Sequence, residues 1–216
     1  MAECCSGGCA SGKADTSPRY RKALWIALAI NALMFLVEIV GGLKSGSVSL
    51  LADAIDFAGD AANYGLSLTV LSMGLMWRAR AALVKGLSMG GYGILVLGKA
   101  AWSAISGTPP EPYTMGGIAL LALLANVSVA WMLYAFREGD ANMRSVWLCS
   151  RNDAIVNVAI ALAALGVLGT GSAWPDLIVA GIIALLALSS SVSVIRQARG
   201  ELAAEAAGRP SLGTPS

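Results

Sequence analysis

The sequence predicts an all-α membrane protein with six transmembrane helices. Of its 216 residues, 56% are hydrophobic and only 13% are charged, whereas soluble domains carry about 25% charged residues. The mean hydropathy is +0.69. Apolar runs of about 20 residues, the length that a helix needs to cross a bilayer, recur along the chain. They cover residues 24–43, 48–75, 82–105, 115–136, 146–168 and 174–195.

Segments with turn-forming residues separate these runs. The first run ends at Lys-Ser-Gly (44–46), and the second, which is the least hydrophobic, ends at Trp-Arg-Ala-Arg (77–80). Gly-Thr-Pro-Pro-Glu-Pro (107–112) follows the third run, Arg-Glu-Gly-Asp (137–140) the fourth, and Gly-Thr-Gly-Ser (169–172) the fifth. Such residues favour turns over helix. Because every break is short, we expect neighbouring helices to be antiparallel.

Basic residues lie on one side of this arrangement. They precede the first run, join the second to the third and the fourth to the fifth, and follow the sixth: Arg19, Arg21, Lys22, Arg78, Arg80, Lys85, Arg137, Arg144, Arg196 and Arg199. The opposite breaks carry Lys44 as their basic residue, beside acidic Glu111 and Asp176. The positive-inside rule therefore predicts that both termini lie in the cytoplasm. We expect a multi-pass protein of the inner (plasma) membrane.

We expect three regions along the chain. Residues 1–19 form a flexible N-terminal segment with a cysteine cluster, 20–198 form the six-helix transmembrane domain, and 199–216 form a short disordered C-terminal tail. The first 20 residues lack the apolar core of a cleaved signal peptide. The net charge of +2 and the scattered basic residues give no indication of a nucleic-acid partner.

Three aspartates interrupt the second run. Asp53, Asp56 and Asp60 are spaced i, i+3, i+7, and Asn63 continues the series, so all four lie on one face of a helix. A carboxylate at the bilayer centre costs about 2.5–3.5 kcal/mol, and two carboxylates at i, i+4 can offset that cost by sharing a cation. This face predicts a site for a divalent metal or for protons. The alternative is that the aspartates cap the helix, Asp53 most readily, or pair with a base such as Lys99.

The fifth run carries a matching polar face. Cys149, Asp153 and Asn157 repeat every four residues and therefore share one side of a helix. If Asp153 faces Asp56 and Asp60, three carboxylates meet, with Cys149 as a softer fourth ligand. The chain has no histidine, and ligands of this kind suit a tetrahedral site for zinc or a similar ion. The alternative for Cys149 is a packing role, which is common for a lone cysteine in an apolar helix.

At these positions the sequence resembles the cation diffusion facilitator family. The segment SGSVSLLADAIDFAGD at 45–60 looks like the second-helix signature of that family, in which small residues precede Asp or His and a further Asp follows four residues later. Cys149-x3-Asp153 stands where the family commonly has His-x3-Asp on its fifth helix. The resemblance covers residues 20–198, and six spans with cytoplasmic termini agree with it.

The resemblance implies a divalent-metal exporter, for zinc above all, that exchanges metal for protons as a homodimer in the lipid bilayer. It makes Asp56, Asp60, Cys149 and Asp153 the metal ligands. The chain is then a secondary active transporter and not an enzyme, and the metal is its substrate, with no cofactor expected. Cys149 in place of histidine makes the site softer, which extends the expected metals to cadmium and cobalt. The cytoplasmic C-terminal domain of the family is missing from this sequence, so we expect the membrane part to hold any dimer.

Other polar groups have open roles. Cys4, Cys5 and Cys9 lie in a Gly/Ser-rich segment and are candidates for metal capture, with a redox-sensitive or lipidated tail, or no role, as alternatives. Glu38 in the first run is a candidate proton relay, a partner for Lys99, or the site of an interhelical hydrogen bond. With Asp53 and Asn157 it forms our set of candidate accessory metal or proton-path residues.

Two other functions fit the same residues. In a thiol-based heavy-metal uptake carrier, the N-terminal cysteines would be the main site and the aspartates secondary. A non-transporting membrane subunit would bind metal structurally. Uptake and export predict opposite changes in cellular metal on deletion of the gene, and the structural subunit predicts binding without flux.

Overall fold

The computed structural model describes residues 18–69, 75–136 and 141–206. These residues form six α-helices and no strand, which confirms the predicted all-α architecture. The helices are α1 (Pro18–Ser45), α2 (Val48–Thr69), α3 (Leu75–Ser106), α4 (Pro112–Tyr134), α5 (Ala141–Thr170) and α6 (Trp174–Ala206).

Five of these helices are long and apolar enough to cross a membrane. The other is α2, which has 22 residues but carries all three aspartates of the acidic face. Large apolar side chains cover the outer surface of the bundle; Leu95 is 71% exposed and Trp131 is 81% exposed. An apolar exterior of this extent is expected where lipid, and not water, is the solvent. The chain is a multi-pass membrane protein.

Two helix boundaries differ from the sequence prediction. α6 continues to Ala206, through residues that we expected to belong to the tail. α3 begins at Leu75, so that Arg80 lies within this helix and not in the break before it, and Lys85, at the start of the predicted third run, lies well inside the helix. Arg78 and Arg80 lower the hydropathy of the first turns of α3, so a prediction from hydropathy places the start of this helix too late.

The six helices associate as three pairs: α1 with α2, α4 with α5, and α3 with α6. Small residues bring α3 and α6 close together. A Cβ atom added at Gly90 would lie 2.6 Å from Ser191 Oγ, and the Ser191 hydroxyl donates a hydrogen bond to the Gly86 carbonyl at 2.7 Å. This is the close packing that small residues permit between membrane helices. α2 also contacts α3 and α6, whereas its contact with α5 is sparse.

Carboxylates anchor the starts of two helices. Glu111 precedes Pro112 and accepts hydrogen bonds from the backbone N–H groups of Tyr113 and Thr114, which caps α4. Asp176 of α6 instead caps α2, a different helix. It accepts hydrogen bonds from the Val48 N–H at 2.7 Å and the Ser49 N–H at 3.1 Å. The first turn of α2 is therefore held in place by α6.

Candidate metal centre

The acidic face of α2 points into the helix bundle. Asp53 is 1% exposed and Asp60 is 5% exposed, while Asp56 between them is half-buried. The fourth member of the predicted series, Asn63, is also half-buried. Asp53 does not stay near the surface, the position that would have allowed it to cap the helix. The acidic face predicted from the spacing is present, and its carboxylates lie at different heights along the axis of α2.

Asp60 of α2 meets Asp153 of α5. The two side chains lie within hydrogen-bonding range of each other. The Tyr64 hydroxyl, one turn further along α2, is 3.1 Å from Asp60 Oδ2 and donates to it. The same hydroxyl is 3.0 Å from Ser150 Oγ on α5. α2 and α5 are therefore joined by polar contacts at the position where the sequence predicted a shared site.

Lys85, near the start of the third apolar run, provides a positive charge beside Asp60. Lys85 of α3 donates a hydrogen bond from Nζ to Asn63 Oδ1, and its ammonium acts electrostatically on Asp60. The one feature of the sequence that could have indicated this role is a lysine just inside an apolar run. Only the packing of α3 against α2 shows that Lys85 is the counter-charge of the acidic face.

A second group of polar side chains surrounds Asp53, about two turns from Asp60 along α2. Glu38 of α1 and Asp53 are within hydrogen-bonding range of each other, and Asn157 of α5 lies beside Asp53. Glu38 and Asn157 are both 0% exposed. Lys99 is exposed, and neither Glu38 oxygen has a donor among the described residues. Glu38 therefore does not pair with Lys99.

Several predicted residues lie outside the description. The helical position of Cys149 in α5 is defined, one turn before Asp153, but its side chain is outside the described part of the chain. Cys4, Cys5 and Cys9 are also outside the described residues. Within the described residues, no three Asp, Glu, His or Cys side chains are grouped closely enough to hold a metal ion.

The Asp60–Asp153 pair has the chemistry of a cation-binding site. Asp60 and Asp153 offer hard carboxylate oxygens from two helices, which can bind a divalent cation or protons. Asp56 and Cys149, each one turn away on the same two helices, are the nearest candidates for further ligands. Asp56 does not lie close enough to both carboxylates to share an ion with them in this arrangement, so metal binding would have to draw it inward. The Asp176 cap, which sequence reasoning missed, holds the helix that carries Asp56 and Asp60; its bonding partners are 127 to 129 residues away in sequence, so no local pattern could reveal them.

Known proteins resemble this chain over most of its length. The family model for the cation efflux transmembrane domain matches residues 24–203. The zinc transporter ZitB of Escherichia coli (strain K12) is 29% identical over 194 residues, which cover 84% of this chain and 62% of that protein. The metal cation efflux system protein CzcD of Cupriavidus metallidurans is 25% identical over 193 residues, covering 81% of this chain and 61% of that protein.

A third relative is named for its counter-ions. The cadmium, cobalt and zinc/H(+)-K(+) antiporter of Bacillus subtilis is 24% identical over 194 residues, covering 82% of this chain and 61% of that protein. The chain thus spans somewhat less than two thirds of the length of each of these relatives.

Proposed function

The chain belongs to the cation efflux family, and on this basis we propose that it exports divalent metal cations from the cytoplasm in exchange for protons. Zinc is the proposed main substrate, with cadmium and cobalt as further substrates. The similar proteins are named as a zinc transporter, a metal cation efflux protein and a cadmium, cobalt and zinc antiporter, and these names support this choice. The chain is then a secondary active transporter, and the metal is its substrate.

The observation that carries the proposal is the Asp60–Asp153 pair between α2 and α5. Carboxylates inside a membrane bundle are costly and generally belong to ion or proton paths. We assign Asp56, Asp60, Asp153 and Cys149 as the metal ligands, because the last three occupy facing helices and Asp56 is one turn from Asp60. Three oxygens and one thiolate suit a tetrahedral ion such as zinc and also tolerate a softer ion such as cadmium.

We propose that alternating access uses movement between the helix pairs, which also contact each other through α1 and α4. α1–α2 and α4–α5 are closely packed pairs, and the contact between α2 and α5 is sparse. The proposed ligands lie at this sparse contact, so a small rigid-body movement of one pair against the other would open either end of the site. Such rocking about a fixed site near the bilayer midplane is common among secondary transporters.

Lys85 gives the metal-free site a counter-charge. Its ammonium faces Asp60 and donates a hydrogen bond to Asn63. A cation entering the site would meet repulsion from this ammonium and displace it from Asp60. In the empty transporter, Lys85 therefore stabilises carboxylates that would otherwise repel each other in a low dielectric.

We propose proton coupling because the binding of a divalent ion opposes the protonation of carboxyl groups inside the bundle. The distribution of basic residues supports cytoplasmic termini and an inner-membrane location, and we propose a homodimer held by the membrane helices. The N-terminal cysteines Cys4, Cys5 and Cys9 are proposed to capture metal before transport.

The test is a flux assay in proteoliposomes with zinc, cadmium and cobalt under an imposed pH gradient. We expect Asp60→Asn to abolish flux, because it removes a ligand charge. Glu201→Gln is the matched control, since Glu201 is bonded to Gln197 near the end of α6 and should transport as the native protein does. Cys149→Ser should shift the preference from cadmium towards zinc. Native flux in Asp60→Asn would contradict the site, and zinc binding without any flux in the native protein would favour a structural metal-binding subunit.

A further inference from the structure

Glu38, Asp53 and Asn157 form a cluster of buried oxygen atoms that have no hydrogen-bond donor among the described residues. The cluster joins α1, α2 and α5, and its three side chains are at most 1% exposed. Both oxygens of Glu38, both oxygens of Asp53 and Oδ1 of Asn157 have no hydrogen-bond partner in the part of the chain that the structure describes. The Asn157 Nδ2 group donates to the Asp153 carbonyl at 2.8 Å. The oxygen of its amide is therefore left as an unpaired acceptor beside Asp53.

This composition is unusual for a buried polar group. Buried polar atoms are nearly always hydrogen-bonded, and an isolated buried charge costs far more than a neutral polar group. Among the described residues, the other ionisable side chains that interact electrostatically with Glu38 are Asp56 of α2 and Tyr92 of α3, and neither is cationic at neutral pH. Lys85 acts on Asp60 instead. A positive charge is needed here, and none of the described side chains provides it.

We propose that Glu38, Asp53 and Asn157 form a second cation site, separate from the divalent-metal ligands, that binds a monovalent cation. The proposal deepens the proposed function and rests on it, because this monovalent cation is the ion exchanged for metal. The ligands are hard oxygens without thiol or imidazole, which disfavours zinc or cadmium at this position. A proton shared between the two carboxyl groups, or a potassium ion bound by the oxygens, has the required charge.

The position of the cluster explains how the two sites communicate. Asp53 is one turn from Asp56 and two turns from Asp60 on α2, which is about 10 Å along the helix axis. Asn157 is bonded to the backbone of Asp153. A divalent ion at Asp56, Asp60 and Asp153 would repel a monovalent cation held at Asp53 through a medium of low dielectric. Metal binding therefore expels the monovalent cation, and the two ions cross the membrane in turn.

The test uses the full chain in lipid nanodiscs with zinc as the probe. Infrared difference spectra between zinc-bound and zinc-free protein report protonated carboxyl groups through their C=O stretch. If the ion is a proton, zinc should remove a protonated-carboxyl band in the native protein. Glu38→Gln combined with Asp53→Asn should lack this band and keep the zinc affinity within about threefold of native. Glu201→Gln, the matched carboxyl-to-amide control, should retain it.

A second arm distinguishes potassium from a proton. If potassium is the ion, the band is absent, and replacing choline chloride with potassium chloride should weaken zinc binding about fivefold or more in the native protein but not in the double variant. A native protein that binds zinc and shows neither effect overturns the inference, even if the variants fail to fold. Effects that persist in a folded double variant also overturn it. A native protein that does not bind zinc refutes the proposed function instead, and the inference falls with it.

Discussion

Replacement of Asp176 should destabilise the protein more than any other single carboxylate change near the ends of the helices. Asp176 is 1% exposed and accepts hydrogen bonds from the hydroxyls of Ser47 at 2.7 Å and Ser49 at 2.6 Å. It also accepts from the backbone N–H groups of Val48 and Ser49. Val48 and Ser49 begin α2, and the N–H groups of a helix's first turn have no partner within the helix.

The expected loss of stability can be estimated from the polar groups that lose their partner in the variant. In Asp176→Ala, two buried N–H groups lose their acceptor, and each unsatisfied group costs about 1–3 kcal/mol. The hydroxyls of Ser47 and Ser49 are 3.3 Å apart and can bond to each other, so they add little. The free energy of unfolding should therefore fall by about 4 kcal/mol. Asp176→Asn keeps one acceptor oxygen and should lose about half as much, or roughly 2 kcal/mol.

The assay is reversible unfolding in mixed detergent micelles, followed by circular dichroism, together with zinc flux in liposomes. Glu201→Ala, on the same helix as Asp176, is the control and should change the free energy of unfolding by less than about 0.5 kcal/mol. Flux should fall with Asp176→Ala, because a frayed α2 no longer holds Asp60 in register. An Asp176→Ala protein that unfolds within about 0.5 kcal/mol of native would refute the role of this cap.

Two further predictions concern other charged groups. Lys85→Met should bind zinc about tenfold more tightly in calorimetric titrations, because it removes the cation that competes for Asp60, whereas exposed Lys99→Met should bind as native does; equal affinities in the two variants would contradict this. The hydrogen bonds from Thr114 lower the pKa of Glu111, so its contribution to stability is present above the unfolded-state pKa and is lost as the pH falls through the folded-state pKa. The difference in Tm between native and Glu111→Gln should therefore shrink on acidification, and a difference independent of pH would count against it.

The three-residue and four-residue spacings of polar groups were enough to predict the acidic face of α2. The spacings could not predict that the carboxylates of this face belong to two groups with different partners. Helical periodicity fixes the direction in which a side chain points, but Asp53 and Asp60 point the same way while lying about 10 Å apart along the axis. Which carboxyl group meets which partner depends on the height at which α1 and α5 pack. The structure pairs Asp53 with Glu38 and Asp60 with Asp153.

The sequence by itself determined the membrane character, the six helices and the presence of carboxylates within them, because these depend on composition and on local periodicity. The tertiary structure alone decided the partners of the charged groups. Lys85 reaches the acidic face from a helix that hydropathy begins too late, and Asp176 caps a helix that precedes it by more than 100 residues. Both contacts join segments distant in sequence, and electrostatic and hydrogen-bond energies depend on separation in space, which local patterns do not contain.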